Sequence, residues 1–156
     1  FRTIIDINLQ GTFNVSRAAF DAWLRHNGGV VINISAPFEG MGVAWQAHVA
    51  AAKSAVISFT RTAAVEWREL GIRVNAIAPG GIRHTEGDDR VGGQLTQGSP
   101  TAIYGSADDI ANAALFLASD AAAFITGVNL HVDGGTAIDM LKMPVYPQSE
   151  LGENQC

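Results

Sequence analysis

Two side chains in this sequence could take part in catalysis. Lys53 ends the segment Ala50-Ala51-Ala52-Lys53 and is one of only two lysines in the chain. A fixed ammonium group stabilises negative charge that develops in a reaction. Asn8 lies in a helical pattern, and its amide can hold a water molecule or donate to a carbonyl group. On the local pattern alone, Lys53 is equally a lysine that snorkels from a helix flank, and Asn8 a local helix irregularity.

Length, composition and charge limit the class of protein. With 156 residues, 47% of them hydrophobic, the chain can form one ordinary globular core. No apolar run approaches the roughly 18 residues of a membrane span. The net charge of -5, without a visible cluster of lysines and arginines, argues against a nucleic-acid partner. The single cysteine, Cys156, excludes an internal disulfide, and we predict no metal site.

Short apolar segments alternate along the chain with helical patterns. The predicted strands lie at residues 30–34, 73–78 and 128–132, and the first two are expected to be buried on both faces. The predicted helices cover residues 4–26, 45–70 and 106–117, and Ser106-Ala107-Asp108-Asp109 resembles a capping box. This alternation predicts an α/β fold with a doubly wound parallel sheet. Residues 82–104 are typical of a lid or binding loop, and residues 138–156 form a tail without predicted structure.

The order of the motifs resembles a known family. Residues 46–56, followed by Gly71 to Gly80 with Asn75-Ala76-Ile77-Ala78-Pro79-Gly80, are similar to the second half of a short-chain dehydrogenase/reductase. Most members place a catalytic tyrosine four residues before the lysine and a serine thirteen residues before that tyrosine. Here those positions hold Val49 and Ala36. The resemblance covers residues 1–137 and implies the C-terminal part of one Rossmann-like domain. We expect a glycine-rich half to precede it, and we expect the 156-residue piece to be inactive alone.

The resemblance also implies which residues form the site. Lys53 matches the family lysine that bonds the ribose of the nicotinamide, and Asn8 matches the asparagine of the catalytic helix. Glycines at the turn after the second strand are expected to allow close approach of the cofactor. Arg83 and Arg90 are candidates for the phosphates of an acyl-CoA substrate. The implied cofactor-binding residues are Ile34, Ser35, Lys53, Pro79, Gly80, Ile82 and Thr85. 

A subgroup of the family matches more closely. The segments Phe1-Arg2-Thr3, Gly11 to Arg17, Ala47-His48 and Thr85-Glu86-Gly87 resemble peroxisomal-type 2,4-dienoyl-CoA reductases, which also lack the serine and tyrosine. This resemblance implies reduction of a 2,4-dienoyl-CoA to a 3-enoyl-CoA with NADPH. The subgroup commonly has aspartate where this chain has Asn8, so the route of the proton is open. Asp133 is a candidate for positioning a water molecule.

Two alternatives remain from the sequence. One is a carbonyl (3-oxoacyl) reductase of the same family that uses a displaced acid such as Tyr104. The other is a non-catalytic subunit that binds a cofactor or forms oligomers. Family members pair through the helices at residues 1–26 and 46–70, which implies a homo-dimer or homo-tetramer. The residues Asn154-Gln155-Cys156 differ from a Ser-Lys-Leu peroxisomal targeting signal. We therefore expect a bacterial cytoplasmic protein, with a peroxisomal protein as the alternative.

Overall fold

A computed structural model describes residues 1–40, 42–43, 45–85 and 104–138. Arg90, most of the predicted binding loop and the tail from residue 139 lie outside the described residues. The three predicted helices and the three predicted strands are all present in the described part of the chain.

The first helix, α1, covers residues 2–27 and changes its hydrogen-bond pattern along its length. It contains two π-helical turns, Asp6–Gln10 and Phe20–Leu24, within otherwise α-helical stretches. Gly28 follows with φ of 70° and ψ of -170°, a backbone conformation that glycine adopts without steric cost. Its amide donates to the Leu24 carbonyl oxygen at 2.8 Å and closes the last turn. The helix therefore ends within one residue of the predicted end at residue 26.

The three strands form one parallel sheet. They are β1 (Gly29–Ile34), β2 (Ile72–Pro79) and β3 (Asn129–Val132), arranged in the order β1-β2-β3. Val31 lies opposite Val74, and Ile77 lies opposite Leu130. The carboxyl ends of all three strands therefore meet at the same edge of the sheet.

Helices cover both faces of the sheet. The helix α2 (Ala47–Trp67) continues as a 3-10 turn, Arg68–Leu70, and ends at Gly71, which adopts the left-handed conformation. With α1 it packs on the face that carries Val31 and Val74. The helix α3 (Ala107–Ala118) packs on the opposite face against Ile77 through Leu117. This arrangement confirms the predicted doubly wound α/β fold.

The start of α3 shows how local sequence sets an element boundary. The Ser106 hydroxyl accepts from the Asp109 amide, and the Asp109 carboxylate accepts from the Ser106 amide at 2.7 Å. These reciprocal bonds are the predicted capping box, and they satisfy amides that the first turn of a helix leaves unpaired.

Two expectations about burial were wrong. We expected β1 to be buried on both faces, but only Asn33 is buried in it, and Ile34 is exposed. The cause is geometric, because β1 pairs only with β2 among the described residues and borders an open groove. We also predicted a helix that begins at Trp45, where its side chain would be part of the apolar face. Trp45 precedes α2 with φ of 66° and is 91% exposed, because α2 begins only at Ala47.

Candidate active site

The candidate site lies where the three strands end. Ser35 follows β1, Pro79 and Gly80 mark the end of β2, and Asp133 follows β3. In open parallel sheets the crevice beyond the carboxyl ends of the strands is where ligands bind. The fold thus brings three separate stretches of the predicted site to one edge.

Lys53 reaches this edge from α2. Its Nζ donates a hydrogen bond of 3.0 Å to the carbonyl oxygen of Ile34, the last residue of β1. Burial lowers the pKa of Lys53 below its ordinary value, because partial desolvation disfavours the charged form. An ammonium group carries three N–H donors, so a single bond to Ile34 fixes its direction while leaving capacity for a ligand. The Lys53 ammonium group is therefore held against the end of β1.

The positions that would hold an acid are apolar. Val49 lies one helical turn before Lys53 and is half-buried, and Ala36 follows the end of β1. Neither side chain can donate a proton. The Ser35 hydroxyl is buried, 2.6 Å from Asn129 Oδ1 and 3.1 Å from the Ile77 carbonyl oxygen. Since that hydroxyl serves the sheet, Ser35 does not replace the missing serine, and any contact of Ser35 with a cofactor involves its main chain.

Asn8 and Lys53 line the same groove. This open groove of about 540 Å³ runs between α1 and β1. Asn8 sits in the first π-helical turn, and its Nδ2 donates to the Ile4 carbonyl oxygen at 3.1 Å. The main-chain carbonyl oxygen of Asn8 accepts a hydrogen bond from the Thr12 hydroxyl at 2.7 Å. The helix irregularity suggested by the sequence is present, and π-helical turns occur frequently at functional sites.

The turn after β2 packs against protein atoms. A Cβ atom on Gly80 would lie 2.7 Å from Asp133 Cα, closer than real contacts allow, and one on Gly81 would lie 3.2 Å from the Tyr104 ring. We assigned the glycines here to close approach of a cofactor. The structure supplies a different cause for Gly80, which is its contact with the backbone of the turn after β3. Ile82 pairs with Gly105 in an isolated parallel bridge and so joins the turn to the start of α3.

Side chains of the following loop lie close to this turn. The Thr85 hydroxyl donates to the Ile82 carbonyl oxygen at 2.9 Å. The guanidinium carbon of Arg83 lies 5.6 Å from the centre of the Tyr104 ring, within the range of a cation–π contact. Arg83 and Tyr104 therefore stand at the edge that carries Lys53, while Arg90 is outside the described residues.

Asp133 is held rigidly by its own turn. Only 6% of its side chain is exposed. Its Oδ1 accepts from the Gly135 amide and its Oδ2 from the Ala137 amide, each at 2.9 Å. These two bonds fix the Asp133 carboxylate within the turn.

A polar cluster that the sequence motifs did not predict lies at the same edge. Glu39 contacts both Arg61 and His131, and His131 also contacts Asn129 and Asp133. The signal that was available is the alternation of Asn129 and His131 within a strand that should otherwise be apolar. Alternate residues of a strand share one face, so two polar side chains there require polar partners.

Comparison with known proteins places this geometry in a family. A family model described as enoyl-(acyl carrier protein) reductase matches residues 1–137. A peroxisomal 2,4-dienoyl-CoA reductase from Rattus norvegicus is 44% identical over 142 residues, covering 87% of this chain and 49% of that protein. A 3-oxoacyl-(acyl-carrier-protein) reductase from Staphylococcus aureus is 42% identical over 135 residues, covering 85% of this chain and 55% of that protein. The chain belongs to the short-chain dehydrogenase/reductase family.

Solved structures agree with this assignment. A citronellol catabolism dehydrogenase from Pseudomonas aeruginosa superposes with a TM-score of 0.74 at 39% identity, over 88% of this chain and 54% of that one. A 4-hydroxyisoleucine dehydrogenase complexed with NADH gives 0.73 at 34% identity, over 85% and 57%. The chain spans about half the length of the curated relatives that it matches. Within the described residues, no helix is long and apolar enough to cross a membrane.

Proposed function

We propose that the protein reduces a 2,4-dienoyl-CoA to a 3-enoyl-CoA with NADPH. The observation that carries the proposal is Val49, which stands one turn before a well-positioned Lys53 where most relatives have an acid. The 44% identity to a peroxisomal 2,4-dienoyl-CoA reductase supports the same substrate class. 

The chemistry accounts for a site without a tyrosine. Reduction of a ketone needs an acid beside the carbonyl oxygen as it becomes an alkoxide. In a conjugated dienoyl thioester the hydride adds to the far carbon, and negative charge spreads to the thioester oxygen. The protein then has to stabilise that charge and deliver a proton to carbon, for which an ordered water molecule suffices. In this proposal Asn8 helps to hold the carbonyl group or the water, and Asp133 orients water at the end of β3.

The residues at the sheet edge fit a nicotinamide nucleotide in their chemistry. Lys53 offers a positioned cation with N–H donors for ribose hydroxyls, and NADH bound to a related structure supports this class of cofactor. The bound cofactor supplies the hydride. The residues proposed to contact it are Ile34, Ser35 through its main chain, Lys53, Pro79, Gly80, Ile82 and Thr85. The choice of NADPH over NADH follows the resemblance to the dienoyl-CoA reductases.

Arginines near the loop after β2 are proposed to meet the phosphates of the acyl-CoA. Arg83 is exposed, and it stacks on Tyr104 at the carboxyl edge, which leaves its guanidinium accessible from solvent. Arg90 is proposed for the same role from the sequence. Guanidinium groups bind phosphate oxygens with two parallel hydrogen bonds, so both arginines are suited to bind the phosphates of the CoA nucleotide.

A second candidate function is reduction of a 3-oxoacyl substrate. It is favoured by 42% identity to the S. aureus 3-oxoacyl reductase and by the place of Tyr104 against Gly81. In that case the Tyr104 hydroxyl would donate the proton that the family tyrosine donates in other members. Assays of Tyr104→Phe and Lys53→Met with 2,4-hexadienoyl-CoA and with acetoacetyl-CoA distinguish the two candidate functions.

That experiment tests the proposal directly. We expect Lys53→Met to abolish reduction of the dienoyl substrate and Tyr104→Phe to leave its kcat within a few-fold of the wild type. Arg17→Met, which removes an exposed ion pair on α1, is the matched control for loss of a surface cation. Loss of acetoacetyl-CoA reduction in Tyr104→Phe would instead support the second candidate.

We further propose that the protein acts as a homo-dimer or homo-tetramer, in the cytoplasm of a bacterium or in peroxisomes. Large apolar side chains are exposed on α1 and α2, the helices through which family members pair. They are Ile7, Phe13, Val15, Trp23 and Val65, and Phe1, which precedes α1, is exposed as well. If the protein instead binds NADPH and a second copy but reduces neither substrate, the non-catalytic alternative is correct. Sedimentation of the full-length protein with Val15→Ser tests the pairing surface, because the variant should dissociate at higher concentration than the wild type.

A further inference from the structure

Trp45 has a backbone conformation that its side chain disfavours. Its φ is 66°, and Trp45 and His84 are the two non-glycine residues with a positive φ in the described part of the chain. For a bulky side chain this region is a true outlier, whereas glycine enters it freely. Trp45 is also 91% exposed, so packing against the core does not compensate for this conformation.

The loop between β1 and α2 is anchored on both sides of this tryptophan. Before it, Glu39 accepts a hydrogen bond from Arg61 of α2 at 3.2 Å and lies 3.5 Å from His131 near the end of β3. After it, the Gln46 amide donates to the Val43 carbonyl oxygen at 3.2 Å. A strained conformation persists where the surrounding structure imposes it, and such residues cluster at sites that clamp ligands.

The direction of α2 places Trp45 beyond the carboxyl edge of the sheet. Lys53 bonds the Ile34 carbonyl oxygen at the end of β1. Trp67, the last residue of α2, shares a core cluster with Ile72 at the start of β2. The helix therefore runs antiparallel to the strands, and its first residues extend past the sheet edge. With a rise of roughly 1.5 Å per residue, the start of α2 lies about 9 Å beyond Lys53.

An apolar path leads from the proposed reaction centre toward this tryptophan. Val49 is half-buried one turn before Lys53, and it lies between Lys53 and Trp45 along the chain. The arginine proposed to bind the phosphates, Arg83, follows β2 instead. The apolar end and the charged end of an acyl-CoA therefore have contacts on different elements.

We propose that Trp45 is a specificity-determining residue whose indole contacts the acyl chain of the substrate. The inference rests on the proposed function for the class of substrate. An indole provides a large, rigid apolar surface, and a chain that covers it removes apolar area of both partners from water. Substrates with longer acyl chains should therefore bind more tightly.

The binding test uses the full-length protein with NADPH and two saturated thioesters, butanoyl-CoA and octanoyl-CoA. Neither has the double bonds that are reduced, so calorimetric titration measures affinity without turnover. The wild type should bind octanoyl-CoA about ten-fold more tightly, a modest effect beside the roughly four-fold that each fully buried CH₂ contributes. Trp45→Gly should bind butanoyl-CoA almost as the wild type does, and its preference for octanoyl-CoA should fall to within about two-fold.

Phe124→Gly is the matched control. Phe124 is a fully exposed aromatic residue between α3 and β3, without a positive φ. It lies at the start of β3, at the amino edge of the sheet, so its loss should leave the preference for octanoyl-CoA unchanged.

The same two variants test the strain in urea unfolding. Glycine gives the unfolded chain more freedom, so Phe124→Gly should lower the midpoint. In Trp45→Gly the relief of the positive φ opposes that effect, and the midpoint should be at or above that of the wild type. A midpoint of Trp45→Gly as low as that of Phe124→Gly would show that the backbone is not strained and would overturn the inference.

The remaining outcomes separate this inference from the proposed function. An unchanged preference for octanoyl-CoA in Trp45→Gly would overturn the inference, as would an equal loss of affinity for both thioesters, which would place the indole against the CoA part. A preference that depends on Trp45, in a protein that does not reduce 2,4-hexadienoyl-CoA, would refute the proposed function and support the acyl contact. A wild type that binds neither thioester would overturn both.

Discussion

Gly80 should be required by the fold itself and not only by a bound cofactor. A Cβ atom at this position would lie 2.7 Å from Asp133 Cα, 2.8 Å from its Cβ and 3.1 Å from its carbonyl oxygen. Ordinary contacts between such atoms begin near 3.4 Å, so the turn after β3 has to move in Gly80→Ala. Because most of the clash is with backbone, no rotation of a side chain relieves it. We expect a loss of about 1–3 kcal/mol in the free energy of unfolding, the usual cost of overpacking.

Gly40→Ala is the matched control for this change. A Cβ atom on Gly40 meets nothing within 4 Å. The same substitution there should be neutral or stabilise the protein by up to about 1 kcal/mol, because alanine restricts the unfolded chain. 

Urea unfolding of the full-length protein without cofactor measures both effects. With an m-value of roughly 1–3 kcal/mol/M, Gly80→Ala should lower the midpoint by about 1 M relative to Gly40→Ala. Equal midpoints for the two variants would refute the structural argument. If Gly80→Ala then weakened only the binding of NADPH, the original interpretation from the sequence would be the correct one.

Three further predictions follow from the described contacts. Lys53→Met should stabilise the protein at neutral pH, and this stabilisation should vanish above the ordinary lysine pKa of 10.5. Burial lowers the pKa of Lys53 in the folded state, so between the folded and the unfolded pKa the unfolded state binds more protons. The stability of the wild type therefore rises with pH in that range and approaches that of the variant. Thr60→Val should cost about 1–3 kcal/mol in unfolding, because Thr60 Oγ1 accepts the buried Asn33 amide at 2.9 Å. Val49→Tyr combined with Ala36→Ser should create reduction of acetoacetyl-CoA, measured by cofactor consumption, since it restores an acid one turn before Lys53.

Each of these predictions has an outcome that contradicts it. For Lys53, the variant and the wild type are compared across alkaline pH. A constant difference in their free energies of unfolding would show that burial of the charged Lys53 does not destabilise the folded state. For Thr60, the exposed Thr3→Val is the control, and equal unfolding midpoints for both variants would contradict the role of the buried hydrogen bond. For Val49, a folded double variant that binds NADPH but leaves acetoacetyl-CoA untouched would show that the missing tyrosine does not set the substrate class.

Local signals in the sequence predicted most of the fold. Gly28 and Gly71 end helices because both have a positive φ, which glycine adopts readily, and Ser106 with Asp109 begins one by reciprocal hydrogen bonds. Such signals act within a few residues, so a single sequence contains all the information they need. The apolar β-branched run of β2 likewise predicts a strand that is buried throughout its centre.

The remaining features depend on residues that are distant in sequence. The contact between Gly80 and Asp133 joins two turns more than fifty residues apart, and neither turn alone shows it. His131 meets Glu39 only because β3 lies next to β2 and the loop after β1 folds over the sheet edge. The exposure of Ile34 reflects which strands flank β1, a property of topology and not of the strand's own composition.

The most direct test of the proposed function is cofactor oxidation by the full-length protein, with 2,4-hexadienoyl-CoA and acetoacetyl-CoA offered separately. A site with Lys53 in place and Val49 where an acid would stand should consume NADPH with the dienoyl substrate and leave the ketone untouched. Consumption with acetoacetyl-CoA alone would contradict the account, because it would require an acid that replaces the tyrosine.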